Sequence, residues 1–239
     1  MVDDRLPGYM PVSKAAERLK VSPERVRELV GLGQLAAVRP GRELLVRADS
    51  VHRRANVVRP QAGRPLSPRM AWAVLASASG NSPDWVSSAE LVRVRRYVQR
   101  PLDRWPHGLA RRADLHPARI LPAVLKRVRE MPGVAAGGVA AAIAHGSNLV
   151  GAADETVDLY VSSAVYEELR GAKGIRWDSE DPTVIVRVLS AELAVSALAM
   201  ILGKPVVPVA AAAADLLDQG DERAVHAASE LLRVVGVRQ

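Results

Sequence analysis

Apolar residues recur at helical spacing in two short stretches near the start of the chain, "VSKAAERL" (12–19) and "SPERVRELVG" (22–31). The first stretch predicts a helix that a serine can cap and that runs to about residue 20. In the second, Ser22 and Pro23 form a helix start with proline at the first helical position, and the valines and the leucine share an inward face. The pattern therefore predicts two short helices separated by a tight turn.

Two short apolar runs follow, "QLAAV" and "ELLV", on either side of Pro40 and Gly41. Apolar runs that flank a proline-glycine pair are typical of a β-hairpin. Asp49 can then cap a third helix that ends near Arg54. This order of elements is the layout of a small winged helix-turn-helix, in which the second helix enters the major groove and the hairpin reaches a neighbouring phosphate or groove.

Charged and polar residues on the outer side of this unit are the candidates for DNA contact. Arg25 and Arg27 would lie near bases or phosphates, while other candidates position the phosphate backbone or flank the hairpin turn. The full set is Lys14, Ser22, Arg25, Arg27, Glu28, Arg39, Arg42 and Arg47. An ordinary solvated helix face is the alternative interpretation of the same residues.

Residues 9–55 resemble the excisionase and MerR-like family of DNA-binding domains. The resemblance rests on an Ala-Ala pair in the first helix, a Val-Ser turn, a Gly-x-Leu run after the second helix, a Gly-Arg hairpin and an Asp-capped closing helix. It implies a winged helix-turn-helix domain over residues 1–56 that binds double-stranded DNA.

The pattern changes after this unit. Residues 57–66 are rich in Pro, Gly and Arg and lack apolar periodicity, so they predict a linker. Helical patterns resume at 68–79, 88–100 and 117–130, with Pro and Gly between them. We predict that a second domain, residues 67–239, begins with these helices.

The remainder of the second domain combines strand and helix patterns. Apolar runs predict three strands, and small or Ala-rich stretches predict the helices around them. The strands are expected at 156–162, 174–179 and 183–190, and the helices at 137–146, 163–170, 191–201, 208–218 and 221–235. The predicted fold class is mostly α with a small α+β unit: a winged helix-turn-helix followed by a helical and three-stranded α+β region.

Charge is divided unevenly along the 239 residues, whose net charge is +7. Residues 1–130 contain 25 Lys or Arg and 12 Asp or Glu, whereas residues 131–239 contain 8 and 14. A basic front half indicates a polyanionic partner such as nucleic acid. Aromatic residues make up only 3% and Phe is absent, so the core is expected to consist of Ala, Val and Leu.

Composition also excludes some kinds of disulfide and metal site. There is no cysteine, which excludes disulfides and thiolate metal sites, and the histidines stand at no metal-ligand spacing. We expect neither a metal nor a cofactor. The chain has no leader pattern, and Gly and Pro interrupt its longest Ala/Val-rich run at 194–214, so we expect a cytoplasmic protein without a membrane partner.

A second basic stretch lies at 93–112, "RVRRYVQRPLDRWPHGLARR". Arg93, Arg96 and Arg100 are spaced by three and four residues, which places them on one helical face. Three interpretations stay open: a solvated face, a second strip that contacts phosphates, and a surface that inserts into an acidic protein partner.

The stretch "HGSNLVGAADETVDLYV" (145–161) is similar to the nucleotidyltransferase signature, in which two carboxylates on a strand hold two Mg²⁺ ions. Gly146, Ser147 and Asp158 occupy signature positions, but Thr156 stands where the first carboxylate belongs. With one carboxylate the two-metal site cannot be assembled, so we predict no enzymatic activity. The alternative interpretation is a Gly-rich helix end followed by a half-buried strand that exposes Asp158.

Several short stretches resemble the large actinobacterial antitoxins that carry a helix-turn-helix front end: "GRPLSPRMAWAVLASASG", "VDLYVS" and "VPVAAAAADLLDQGDERAVHAASELL". These belong to the VapB class, paired with PIN-domain ribonucleases, and to the AbiEi type. The resemblance implies an antitoxin that neutralises its toxin by direct binding and represses their shared promoter. Because PIN domains use an acidic Mg²⁺ site, Arg93, Arg96 or Arg100 would be suited to plug it.

A stand-alone transcriptional regulator with a ligand-sensing C-terminal domain is the alternative function. We also expect a homodimer or a hetero-oligomer with the toxin, since so small a module reads only a short half-site of an operator.

Overall fold

The computed structural model describes residues 8–19, 21–31, 35–41, 43–51, 54, 64–150, 156–179 and 181–237. Over these residues the chain is a mixed α and β protein with one sheet of three strands and one of five. Residues 55–63, which contain most of the predicted linker, lie outside the described residues.

The amino-terminal unit contains two helices and a three-stranded antiparallel sheet around its own core. Its elements are β1 (Tyr9–Pro11), α1 (Val12–Leu19), α2 (Pro23–Gly31), β2 (Ala37–Val38) and β3 (Leu45–Arg47), followed by a helical segment at 48–51. Strand β3 is central and pairs with both β1 and β2. The predicted helices and hairpin strands are present, whereas β1 was not expected. Ala15, Val26, Leu29 and Val46 fill the core.

The rest of the chain contains most of the helices, and most of these start where the sequence places Ser, Asp or Pro. They are α3 (Pro68–Ala78), α4 (Ser88–Val98), α5 (Trp105–Gly108), α6 (Pro122–Arg129), α7 (Gly138–Ala144), α8 (Ser163–Arg170), α9 (Val195–Leu202), α10 (Val209–Gln219) and α11 (Glu222–Val234), with a 3₁₀ turn at Leu102–Arg104. The side chains of Ser67, Ser87, Ser162 and Asp221 accept hydrogen bonds from backbone N–H groups in the first turns of α3, α4, α8 and α11.

The second sheet has the strand order β5-β6-β8-β4-β7. Its strands are β4 (Asp114–Ile120), β5 (Val134–Ala136), β6 (Val157–Val161), β7 (Ile175–Trp177) and β8 (Val184–Val188). Strands β6 and β8 are parallel, and the other neighbours are antiparallel. Because β8 is at the centre, all five of its residues are buried.

Helices pack on both faces of this sheet and form a separate hydrophobic core on each. One face carries Val184, Val186 and Val188 of β8 and belongs to a core that includes residues of α6 and α8. The opposite face carries Tyr160 of β6 and belongs to a larger core that includes α3, α7, α10 and α11. In α10 the residues at 210–214 are all alanines and all buried, so the core consists largely of small side chains, as the composition predicts.

The prediction of a three-stranded α+β region is wrong, because this sheet has five strands. The three predicted strands correspond to β6, β7 and β8, but β4 and β5 were missed. Strand β4 occupies residues that were partly assigned to a helix at 117–130, and Pro117 inside it discourages a strand prediction. The proline is tolerated because it faces β7 only where β7 ends: its carbonyl accepts the N–H of Asp178, one residue beyond that strand.

Among the described residues, a hydrogen bond connects the amino-terminal unit with the helices of the second domain. The guanidinium of Arg18, in the last turn of α1, donates from Nη2 to the carbonyl of Gly220 at 3.0 Å. Gly220 ends α10 in the left-handed conformation, with φ of 70°, as its position before Asp221 predicts. The arginine therefore meets a carbonyl at a helix C-terminus, where positive charge is favourable.

Candidate functional site

Helix α2 is held in place by the turn that precedes it. The N–H of Val21 donates to the carbonyl of Ala16 at 3.1 Å, and Ser22 caps α2 by accepting the N–H of Arg25 at 3.2 Å. Val26 and Leu29 then point into the core, so the charged residues between them face solvent. The local sequence thus fixes which side of α2 is presented outward.

The outward arginines of α2 are paired with acids of the same helix. Arg25 Nη1 lies 2.5 Å from Glu28 Oε2, and Arg27 Nη1 lies 3.6 Å from Glu24 Oε1. The side chains of Arg25 and Glu28 are 47% and 56% exposed, so water surrounds the pair. Surface pairs of this kind contribute between about 0 and 1 kcal/mol, and a phosphate can therefore replace the carboxylate at little cost.

The other candidates for DNA contact lie around α2 and the hairpin. Lys14 on α1 and Arg39 after β2 are exposed, and the φ of Gly41 is +75° at the hairpin turn. The hydroxyl of Ser22 is exposed but serves as the cap of α2. Arg42 lies outside the described residues. Contact of each of these residues with DNA stays a prediction.

Arg47 differs from the other candidates because a neighbouring carboxylate already binds it. Its guanidinium donates to both oxygens of Asp49, at 2.9 and 2.6 Å, and its side chain is only 21% exposed. The hydrogen bonds to Asp49 raise the pKa of Arg47. Contact of Arg47 with a phosphate would require this two-point pair to open, which makes it the least available arginine of the set.

Helix α4 presents the second group of candidates. Arg93 and Arg96 lie on α4 and are exposed. The helix ends at Val98, earlier than the predicted 88–100, so Arg100 is exposed two residues beyond it, and its guanidinium lies 4.7 Å from the ring centre of Tyr97. Within the described part of the chain, Arg93 and Arg96 form no ion pair. The acid nearest in sequence, Glu90, is occupied by Arg69 at 2.6 Å and by the capping box of α4. This strip therefore keeps its positive charge, unlike the outward face of α2.

A further group of charged and polar side chains is buried between the five-stranded sheet and the helices on one of its faces. We call it the charged centre; its members are Arg112, Asp158, Tyr160, Arg187, Asp215 and Asp218. Asp218 is the most accessible member, with 22% of its side chain exposed. Asp215 is fully buried, and the side chain of Arg112 is 2% exposed.

Asp215 of α10 connects the other members of the charged centre. One of its carboxylate oxygens accepts from Arg112 Nη2 and from the Tyr160 hydroxyl, both at 2.7 Å. The second oxygen accepts the backbone N–H of Gly138 at 2.9 Å. Asp158 of β6 accepts from Arg187 Nε of β8 at 2.8 Å. Each ionised group thus has partners, as burial away from water requires.

The two buried acids have opposite pKa shifts. Burial raises the pKa of Asp158 by more than Arg187 lowers it. For Asp215, burial acts in the same direction, but Arg187 and Arg112 together outweigh it, so its pKa is lowered. Asp215 is therefore the anion that holds the two arginines in the core.

Two glycines allow the backbone to approach the charged centre. A Cβ on Gly137 would lie 2.7 Å from Asp215 Oδ2, and one on Gly138 would lie 2.4 Å from Asp158 Oδ2. Gly138 also has φ of +55°, which favours glycine. The Gly-Gly pair at the start of α7 is thus required by close contact as well as by conformation.

The structure corrects the exposed position expected for Asp158. Only 8% of its side chain is exposed, and it faces Arg187. The other signature residues, Gly146 and Ser147, follow the end of α7. Within the described residues, the acidic and histidine side chains form no group that could hold a metal ion.

Sequence reasoning missed the charged centre, although two of its members stand out in the sequence. Arg187 interrupts the apolar run "TVIVRVL", and Asp215 interrupts "VAAAAADLL". A single charge inside a buried run needs a partner in the core, which could have indicated an internal ion pair. The partners themselves are 103 residues apart in the case of Arg112 and Asp215, a separation that local patterns do not bridge.

No family model matches the chain, and no curated protein or solved structure matches it either. The helices in the described ranges include none that is both long and apolar enough to cross a membrane. The function must therefore be argued from the geometry of this chain.

Proposed function

We propose that the amino-terminal unit binds double-stranded DNA as a winged helix-turn-helix, with α2 in the major groove and the hairpin beside it. The observation that carries this proposal is the outward face of α2, where Arg25 and Arg27 lie on a short helix whose other side is packed into a separate core. The three residues between α1 and α2 and the antiparallel pairing of β2 with β3 support the same interpretation.

Binding would exchange one set of surface ion pairs for another. In the free protein Glu28 and Glu24 neutralise the arginines, and in the complex phosphates or guanine edges would take their place. Release of counterions from the DNA drives this exchange, so affinity should fall steeply as salt is raised.

The test measures fluorescence anisotropy of labelled duplexes from the region upstream of the gene, at low and moderate salt. We expect Arg25→Ala and Arg27→Ala each to weaken binding by about tenfold or more. Arg170→Ala is a matched control, because Arg170 forms a similar pair with Glu167 three residues earlier on an exposed helix, at 3.4 Å. Equal affinities for all four proteins, or no binding by the parent protein, would reject the proposal.

We further propose that the chain is an antitoxin, not an enzyme, and that α4 binds an acidic protein partner, most simply a PIN-domain toxin. The support is the group of exposed arginines on α4 and just after its end, which form no ion pair among the described residues and so keep their positive charge. The internal pairing of Asp158 with Arg187 agrees with a protein that does not hold catalytic metals at that strand.

Co-expression with the product of the adjacent gene tests this second proposal. We expect the double substitution Arg96→Glu and Arg100→Glu to abolish co-purification and neutralisation, while Arg170→Glu with Arg233→Glu, two exposed arginines on other helices, leaves both intact. Retained neutralisation by the α4 variant would contradict it. Loss of duplex binding instead of partner binding would favour a second phosphate-contacting strip.

A stand-alone regulator with a ligand-sensing body is the second candidate function. The specific observation that favours it is a cavity of about 720 Å³ at one end of the five-stranded sheet. Cavities of about 300–1,000 Å³ are typical of small-molecule sites.

A further inference from the structure

The two outer edges of the five-stranded sheet differ in what covers them. At the β5 edge the chain covers itself: the N–H of Ala136 donates to the carbonyl of Pro205 at 2.8 Å, and the N–H of Val207 donates to the carbonyl of Ala136 at 3.0 Å. The opposite edge is β7, which among the described residues pairs with β4 alone. An uncovered edge strand presents backbone groups to which another strand can bind.

The hydrogen bonds between β4 and β7 show which backbone groups of β7 point outward. The N–H of Leu121 donates to the carbonyl of Gly174 at 3.0 Å, and the N–H of Asp178 donates to the carbonyl of Pro117 at 2.8 Å. The backbone groups of Gly174 and Asp178 therefore face β4. Because this direction alternates along an antiparallel pair, those of Arg176, midway between them, face β4 as well. The two remaining residues of the strand direct their backbone groups away from the sheet.

These outward residues are Ile175 and Trp177. Each has one N–H and one C=O group on the open edge, and the four groups have no hydrogen-bond partner among the described residues. Positive φ at Gly174 (+89°) and at Asp178 (+54°) limits the strand to three residues. The edge can therefore form four backbone hydrogen bonds with one short extended segment.

The side chains of β7 alternate between the two faces of the sheet. Ile175 and Trp177 are half-buried and pack against the core that includes residues of α6 and α8. Arg176 projects from the opposite face, where its register partner is Arg119 of β4. A strand added to β7 must follow the same alternation. Its residues beside Ile175 and Trp177 should therefore be apolar, and the residue opposite Arg176 lies on the face of the arginines.

The charge of Arg176 determines which residue suits that central position. Its guanidinium is exposed and forms no ion pair among the described residues, and Nη2 donates to the Ser179 hydroxyl at 3.2 Å. Arg119 beside it is already paired with Asp181. Opposite charges on neighbouring strands are favourable and like charges are unfavourable, so an acidic residue is favoured here. The same rule disfavours a second copy of the chain, because the antiparallel register that uses all four groups would place Arg176 opposite Arg176.

We propose that the open edge of β7 binds an extended segment of a protein partner as an additional antiparallel strand, with an acidic residue opposite Arg176 and apolar residues on either side of it. Backbone hydrogen bonds to Ile175 and Trp177 provide the affinity, and Arg176 selects the acidic residue, as is usual in recognition by strand addition. This edge is separate from α2 and α4, so the proposal does not rest on DNA binding or on the antitoxin function.

Amide hydrogen exchange, followed by NMR on the isotope-labelled full chain, tests the proposal with the peptide SVEVS, blocked at both ends. In the free chain we expect the amides of Ile175 and Trp177 to exchange rapidly and that of Arg176, which is bonded to β4, to exchange slowly. Saturating peptide should slow the first two by at least about fivefold and leave Arg176 unchanged.

Changes in the peptide and in the protein separate the backbone contribution from the charge. N-methylation of both valines removes the donors to the carbonyls of Ile175 and Trp177 and should abolish the protection, whereas N-methylation of the glutamate, whose N–H points away from β7, should preserve it. The peptide SVKVS should bind at least about fivefold more weakly than SVEVS, and Arg176→Glu should reverse this preference. Arg233→Glu, on the exposed side of α11, should leave the preference unchanged.

Three results would each overturn the proposal: no protection of Ile175 and Trp177 by SVEVS, equal protection by the valine-methylated peptide, or equal binding of SVEVS and SVKVS to the parent chain. Protection that appears without peptide and increases with the concentration of the chain would also overturn it, and would assign the edge to a second copy. Slow exchange of amides elsewhere in the five-stranded sheet confirms that the Arg176→Glu variant keeps its fold.

Discussion

The outward face of α2 and the charged centre use the same two kinds of side chain for opposite purposes. On α2, Arg25 and Glu28 are 47% and 56% exposed and lie three residues apart on one helix. In the charged centre, Arg112 and Asp215 are 2% and 0% exposed and come from distant parts of the chain. The first pair can exchange partners with a ligand, whereas the second fastens α10 to the segment that precedes β4.

The difference follows from the cost of removing charge from water. An exposed pair gains little because water already stabilises both ions. A buried pair has lost that water, so removal of one partner leaves an uncompensated charge in the core. An exposed arginine is therefore a candidate for binding, whereas a buried one stabilises the fold. Part of the uneven charge along the sequence is neutralised inside the protein, because Asp215 and Asp218 from the acidic half pair with Arg112 from the basic half.

The largest expected effect is in the charged centre. Asp215→Ala removes the acceptor of Arg112, of the Tyr160 hydroxyl and of the Gly138 N–H. We expect the free energy of unfolding to fall by about 3–5 kcal/mol, measured by urea denaturation. Glu167→Ala, which breaks an exposed pair, should change it by less than about 1 kcal/mol. Similar losses in both variants would show that the buried network has no special role.

Gly138→Ala should have the next largest effect. The new Cβ would lie 2.4 Å from Asp158 Oδ2, and φ of +55° is strained for alanine. We expect a loss of about 3 kcal/mol. Gly146→Ala is the matched control: its φ is +92°, but a Cβ there meets no atom within 4 Å. This control should lose only the strain energy, about 1–2 kcal/mol, and an equal loss in both would contradict the contact with Asp158.

The pair of Arg69 and Glu90 is intermediate in exposure between the Arg25–Glu28 pair and the charged centre, with side chains 43% and 25% exposed. Arg69, followed by the backbone N–H of Ser87, lowers the pKa of Glu90 from 4.5 to about 2. Because the pKa is lower in the folded state, ionised Glu90 stabilises the fold above about pH 4.5 and this contribution disappears as pH falls toward 2.

Thermal melts of the parent protein and of Glu90→Gln between pH 6 and pH 2.5 test this prediction. The melting temperature of the parent should fall more steeply below pH 4.5 than that of the variant, and the two curves should converge at the acidic end. Parallel curves over the whole range would show that the pair does not contribute.

The smallest expected effect is on α2 itself. Glu28→Gln frees Arg25 from its 2.5 Å partner, which should raise duplex affinity by up to about fivefold and change stability by less than about 0.5 kcal/mol. Glu167→Gln makes the same change beside Arg170 and should leave duplex affinity unaltered. A fall in affinity for Glu28→Gln would mean that Glu28 itself contacts the DNA.

Most helices and three of the five strands of the second sheet could be predicted because their signals are local. Ser22 with Pro23, Ser67 with Pro68, and Gly220 with Asp221 mark helix ends within a few residues of the chain. Strand β4 was missed because the feature that permits it is not local. Pro117 disfavours a strand, and the position is acceptable only because β7 ends beside it.

The candidate residues on α2 and α4 could also be named in advance, because exposure follows from helical periodicity. The partner of each arginine could not be predicted from the sequence. The pairing of Arg47 with Asp49 depends on side-chain geometry two residues away, and Arg119 and Arg176 become neighbours only because β4 pairs with β7.

The sequence by itself determined the order of local elements, the faces that the amphipathic helices present, and the composition of an alanine-rich and valine-rich core. Only the tertiary structure decided which charges are free. Arg112 pairs with Asp215 of α10 and Arg187 with Asp158 of the neighbouring strand β6, whereas Arg93 and Arg96 form no ion pair among the described residues. The physical reason is that periodicity is a property of neighbours along the chain, whereas the energy of a charge depends on the water and partners around it in space.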